Sequence, residues 1–425
     1  MAISEAAVDA GGIDAGGIDP GRIDAGGLDP GRIAGWLAAD REARPGRLAR
    51  LRTRLAEEGL DAYFGVRREN SRYLTGFALG DGEEKVAGQS GWFLVSGDEV
   101  VLLADSRYTI QAREEAPEAR VEPVYHDLAS RWGELVESLR PLHADGRVRR
   151  VAVEAGFVSH ADWERLAAVA PTVELVPVEG SVEEQRAVKE PAEVERIGAA
   201  CAVADAALER ILPRIRPGVS EAELALDLEW QMRTNGAEAL AFDVACLSGP
   251  RAALPHGSPG KRAVRAGEVL LFDFGAQVAG YRSDMTRTLF VGEPAAEDLA
   301  IYRLVAGAQE AALEGLREAV ARGERPTNRS IDALARERIE EAGHGEHFGH
   351  GLGHGIGLAT HEAPGLSRRA VEAPLPAPTV FSVEPGVYLD GRMGVRIEDL
   401  VLFDPDAGRL EMLTRFPREV TVVGG

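Results

Sequence analysis

Cysteine is scarce: Cys201 and Cys246 are the two in 425 residues. No metal-type spacing relates them, so neither a disulfide framework nor a cysteine metal site is expected. Cys201 lies in an alanine-rich helical pattern, where a thiol serves as a small buried apolar group. Basic charge is also short, with 48 Lys and Arg against 69 Asp and Glu, a formal net charge of -21. Binding to phosphates needs clustered Lys and Arg, so nucleic acid is excluded as the main partner. No uncharged apolar run approaches the roughly 18 residues of a membrane span, so no membrane partner is expected. The opening MAISEAAVDAGG has neither the basic segment nor the apolar core of a signal peptide, which points to a cytoplasmic protein.

What is present is ordinary globular material, 45% hydrophobic and 28% charged, in a chain long enough for two domains. Residues 11–35 repeat every five (GGIDA, GGIDP, GRIDA, GGLDP, GRIAG). One apolar residue per unit cannot offset the ordering entropy, so residues 1–45 are expected to be a disordered tail. From Gly46 a helical pattern sets Leu48, Leu51 and Leu55 on one face. Strand-like and helix-like segments then alternate to about residue 178, with a turn-like ENSRYLTGF at Glu69–Phe77. This predicts an α/β domain over 46–180. The charged stretch Glu179–Pro191 reads as a hinge, and a second domain is expected over 188–425.

The second domain holds the titratable residues. LLFDFGAQVAGYRSDMTR, Leu270–Arg287, reads as a hairpin broken at Val278–Tyr281, and Asp273 and Asp284 fall nearly equidistant from the break. Taken alone, it admits two readings: a surface charge and a turn residue, or two facing carboxylates with a cation between them. A second pair, Glu384 and Glu398, is equidistant from Gly391 in the turn candidate Asp390-Gly391-Arg392. Between the pairs, five of the nine histidines fall in HGEHFGHGLGHGIGLATHEAP, His344–His361. Imidazole is the commonest protein metal ligand, and glycine lets backbone approach a site closely. Four crowded acids repel by several kcal/mol, which two divalent cations would offset. Oxygen-rich ligation with one imidazole suits Mn(II), with Co(II), Fe(II) or Zn(II) also possible.

FDFGA, SDMTRT, GHGIG, EPGVY and RIED resemble the ligand motifs of the Xaa-Pro peptidases, the prolidase and aminopeptidase P family of pita-bread dimetal metallopeptidases. ALPHG at Ala253–Gly257 and Lys189-Glu190-Pro191 are similar to further motifs of that family. RLRTRLAEEGLDAYF, ENSRYLTGF and Asp105-Ser106-Arg107-Tyr108 resemble its creatinase-type N-terminal domain. The likeness runs over about residues 46–420.

The resemblance implies a pita-bread catalytic domain behind a smaller α/β domain, two divalent metal ions per chain and a homodimer. It implies Asp273, Asp284, His354, Glu384 and Glu398 as metal ligands, Asp284 and Glu398 bridging. The activity implied is hydrolysis of the Xaa-Pro bond in proline-containing peptides or dipeptides by a metal-bridging hydroxide. Glu384 would also carry a proton to the leaving proline nitrogen. His256 and His361 would orient the scissile carbonyl, and His350 would act beside the ligands on the substrate side. Arg396, two residues before Glu398 on one strand face, would hold a ligand carboxylate in a charge-assisted fork. His126, His143, His160, His344 and His347 have no assigned role. Two other uses of this architecture remain. A creatinase-like small-molecule C–N hydrolase is set against by the intact ligand set, and a non-catalytic peptide-binding module by the retained acids.

Overall fold

The computed structural model describes residues 28–424 except 81, 84–85, 125–126 and 143–145. A six-stranded mixed sheet forms first, in the order Arg120–Pro123, Val100–Ala104, Phe93–Val95, Ala62–Gly65, Arg150–Glu154, Glu174–Val178. Alternation along its central strand sorts the side chains to two sides. Ala62 and Phe64 meet Trp132 and Val136 of helix Leu128–Ser138 and Leu166 of helix His160–Val169. Tyr63 joins Leu51 and Leu55 of helix Pro30–Glu57. That second cluster continues into Ile197, Cys201, Ile356 and Leu400, so one apolar core crosses the domain boundary.

The second domain is built on two sheets. One contains Ala245–Ser248, Val269–Phe274, Met285–Val291 and Val422–Val423. The other orders Glu362–Leu366, Gly353–Gly355, Thr379–Val383, Asp399–Asp404 and Arg409–Met412. Leu270 and Phe272 pack against helices Pro191–Ile211 and Glu221–Thr234. Val269 and Leu271 share a core with Phe381, Val401 and helices Ala296–Arg322 and Asn328–Glu341. Strands enclosed between helix pairs are the mixed α/β arrangement the resemblance implies. The long helices start on local signals: Glu190 and Glu193, on either side of Pro191, cap each other's backbone, and Ser220 with Glu223 does the same. Among the described residues no helix is long and apolar enough to cross a membrane.

Three expectations need correction. The sequence predicts a tail through residue 45, yet helix Pro30–Glu57 begins fifteen positions earlier in that stretch; residues 1–27 lie outside the described residues. The Asp29 side chain accepts from Gly31 N, Pro30 takes the first helical position, and Trp36 is 3% exposed, its Nε1 donating to Glu195 Oε2 at 2.8 Å. Asp40 then bridges Arg47 and Arg196. These long-range contacts fold a segment whose composition argues for disorder. Most of the turn-like ENSRYLTGF, Glu69–Thr75, is instead part of helix Arg68–Thr75, which buries Tyr73 and Leu74 and ends on Gly76 at φ 91. The charged stretch 179–191 is no free hinge. It carries a short helix, Glu183–Ala187, and its Arg186 and Lys189 are buried and ion-paired.

Candidate metal centre

Both hairpins place acids at their open ends. In the second, Thr379–Val383 pairs with Asp399–Asp404 (Val383 opposite Asp399), and Gly386–Leu389 pairs with Met393–Arg396 (Gly386 opposite Arg396). One register runs through both ladders and puts Glu384 level with Glu398, with Gly391 at φ 68 in the turn. The first hairpin departs from the expected symmetry. Its turn is Ala279-Gly280, both at positive φ, and Asp273 faces Thr286 rather than Asp284. Asp284 therefore lies diagonally from Asp273, still within reach on the same face.

A cavity of about 360 Å³ is lined by all nine residues singled out from the sequence: His256, Asp273, Asp284, His350, His354, His361, Glu384, Arg396 and Glu398. Ligand atoms of Asp284, His354 and Glu398 lie within 4.8 Å of one another. His354 Nε2 is 3.7 Å from Asp284 Oδ2 and 3.3 Å from Glu384 Oε1. His354 Nδ1 is 3.1 Å from the Gly355 carbonyl, which can only accept. The proton thus sits on Nδ1, and the Nε2 lone pair faces the acids, as a metal ligand requires.

Asp273 lies outside that trio, and Arg396 Nη2 donates to its Oδ2. The expected fork is a single bond: Arg396 spends Nε on Thr286 Oγ1 (2.8 Å) and Nη1 on the Tyr388 hydroxyl (2.8 Å). Thr286 Oγ1 in turn donates to Glu398 Oε2 at 2.7 Å, and Ser382 Oγ donates to Glu384 Oε1 at 2.9 Å. His350 Nδ1 donates to the Gly351 carbonyl at 2.7 Å, so its Nε2 accepts from the Tyr388 hydroxyl at 2.9 Å. His361 stacks on His354 with ring centroids 4.2 Å apart. His256 is exposed.

The donor set fits divalent cations. Asp284 Oδ1 and Glu398 Oε1 are buried and have no hydrogen-bond partner among the described residues. Burial, then the charges of neighbouring acids, pushes both carboxyls well above the usual range. Burial also raises Glu384, with His350 and Arg396 opposing. Burial lowers His350, His354 and His361, favouring neutral rings that can donate a lone pair. A cation removes the repulsion and satisfies the two orphaned oxygens together.

Tyr388, Thr286 and Ser382 carry no role in the sequence reading, although they fix the orientations of His350, Arg396, Glu398 and Glu384. Two-residue periodicity from Glu384 through Gly386 to Tyr388 is the signal that places Tyr388 on the same face. Phe242 and Thr360 also line the cavity, from loops without a periodic signature. His344 and His347 are not among the residues lining it, and His160 lies at the start of a helix in the first domain. His126 and His143 lie outside the described residues.

Comparison with known proteins gives two family matches. The model of metallopeptidase family M24 matches residues 195–405, and that of the creatinase/prolidase N-terminal domain matches 47–188. An uncharacterized peptidase, YqhT, of Bacillus subtilis is 33% identical over 377 residues, covering 89% of this chain and all of the relative. An Xaa-Pro dipeptidase structure from Bacillus anthracis superposes with a TM-score of 0.80 at 34% identity, over 89% of this chain and all of that one. An X-Pro aminopeptidase structure from Thermotoga maritima superposes with a TM-score of 0.76 at 35% identity, over 88% of this chain and 99% of that one.

Proposed function

The chain belongs to metallopeptidase family M24, and from that membership we propose that it hydrolyses the peptide bond before proline in Xaa-Pro peptides or dipeptides. The observation that carries this reading is the trio Asp284, His354 and Glu398, whose ligand atoms lie within 4.8 Å while two buried carboxylate oxygens have no partner among the described residues. In this reading Asp273, Asp284, His354, Glu384 and Glu398 hold two divalent cations, Mn(II) by preference. When bound, the cations supply acidified water and positive charge opposite a developing oxyanion.

The protein's own groups do the rest. The bond before proline is a tertiary amide, whose nitrogen must gain a proton to leave. Glu384, on the cavity wall, takes a proton and delivers it there. His256 and His361, at the cavity wall, orient the carbonyl and donate to its oxygen as charge builds. Arg396 neutralises and aims Asp273, and Tyr388 links that arginine to His350. The creatinase-type first domain closes on the second through the shared core around Tyr63, and we read the assembled chain as a homodimer, which sedimentation checks.

The test is direct. Purified protein loaded with Mn(II) is given Ala-Pro and Ala-Pro-Ala, and released alanine is quantified. Release from the dipeptide alone identifies a dipeptidase, and release from the tripeptide an aminopeptidase. No alanine from either, with two metal equivalents bound, overturns the reading.

A further inference from the structure

We propose that the interdomain linker belongs to the active site: Arg186 and Lys189 clamp Glu362 and thereby hold the backbone that presents His361. All three are positioning residues. The proposal rests on the reading of His361 as a substrate-orienting group.

The cavity histidines are not held alike. Hydrogen bonds pin the rings of His350 and His354. Among the described residues, the His361 ring makes none and is placed only by stacking on His354. A ring with no hydrogen bond of its own depends on packing and on the backbone that carries it.

The residue after it is locked. Glu362 Oε1 accepts from Lys189 Nζ at 2.5 Å, and Oε2 accepts from Arg186 Nη2. Side-chain exposures are 1% for Glu362, 1% for Arg186 and 0% for Lys189. Glu362 is also level with Gly355, the neighbour of His354, at the irregular end of that ladder. The Ala359 amide reaches Oε2 at 3.4 Å and draws in the loop before His361. A Cβ at Gly357 would come within 2.5 Å of Glu362 Oε1, so that loop lies directly on the carboxylate.

The clamp is anchored from both sides. Lys189 N donates to the Pro378 carbonyl at 2.8 Å, just before the strand leading to Glu384. Arg186 Nη1 donates to Asn70 Oδ1 at 2.8 Å in the first domain. Against burial, Lys189 and Arg186 hold the Glu362 carboxyl down at about 2, so the clamp stays charged at any working pH. Well-packed apolar residues commonly stabilise a fold as well as a buried ion cluster does. The location of this one, a single residue from His361, is what stability alone leaves unexplained.

The test is a double-mutant cycle on metal-loaded protein below its unfolding midpoint, using Ala-Pro or Ala-Pro-Ala, whichever is cleaved. Glu362→Gln is expected to lower kcat/KM roughly 10- to 100-fold with metal content unchanged, as loss of a supporting hydrogen bond does. In a His361→Ala background the same change should cost less than about twofold, because the residue it serves is gone. Should Glu362→Gln not fold, Lys189→Arg, which keeps the charge but moves it, enters the same cycle. Equal losses in both backgrounds, or no loss in either, overturn the proposal. If the wild type cleaves no Xaa-Pro peptide, the functional reading fails separately. The His361 imidazole NMR signals, assigned with His361→Ala, then decide: unchanged signals in Glu362→Gln overturn the clamp.

Discussion

Glu362 and Glu398 are both carboxylates sunk in the second domain, yet their surroundings are opposite. Glu362 faces two buried cations, has both oxygens bonded and is held at about 2. Glu398 has one oxygen bonded by Thr286 and the other without a partner among the described residues, and burial with Glu384 and Asp273 pushes its carboxyl well up. Around Glu362 the fold has already balanced its charge. Around Glu398 four acids share one arginine, Arg396, and the balance is left to a ligand. A buried charge complete within the chain stabilises or positions; one left incomplete binds something.

The most disruptive way to break this contrast is to remove an acid from the incomplete site. Asp284→Ala should lower kcat/KM on the order of 10³-fold, since several kcal/mol of transition-state charge stabilisation is lost. Metal analysis of the same sample should show reduced occupancy. Normal turnover at full occupancy would remove Asp284 from the ligand set.

Next comes the complete cluster. Glu362→Gln removes the carboxylate that Arg186 and Lys189 share and should destabilise by about 3 kcal/mol at pH 7 in denaturant titrations. The pH dependence has a definite sign. A carboxyl depressed from 4.5 to about 2 contributes stability present above its unfolded pKa and lost as pH falls toward 2. The gap between wild type and Glu362→Gln should therefore close between about pH 4.5 and pH 2. A gap unchanged over that window would show the clamp is not electrostatic.

Metal removal sharpens the contrast from the other direction. Mn(II) at a hundred times its dissociation constant should stabilise the wild type by about 2.7 kcal/mol, and a chelator should reverse it. In the chelated protein, Asp284→Asn should raise the melting temperature, because it relieves repulsion, whereas Glu362→Gln should lower it. Shifts of the same sign would erase the distinction between the clusters.

The smallest effect is the control. Arg233 pairs with Glu229 at an exposed helix face, and Arg233→Ala should change stability by no more than about 0.5 kcal/mol.

Much of the site was legible because its cues are local. The Glu384 and Glu398 register follows from symmetry about Gly391, and it holds across two ladders. The Asp273 partner lies two residues beyond Asp284, at Thr286, because Ala279-Gly280 turns the chain one position later than the sequence symmetry suggests. Near Gly275 a Cβ would meet the Ser283 carbonyl at 1.9 Å, a close approach that only assembled strands reveal. The first half of helix 30–57 has little local signal, because its opening turn continues a repeat poor in apolar residues and Trp36 finds its partner, Glu195, 159 residues away.

The sequence alone determined which donors this chain possesses, their order and the turns that bring acids to hairpin ends, because adjacent residues set strand alternation and turn chemistry. Tertiary structure decided which charges are balanced. Arg186 and Glu362 stand 176 residues apart, and Arg396 and Asp273 stand 123 apart. No local period relates such pairs, so only the packing of one domain on the other, and of one hairpin beside the next, selects them.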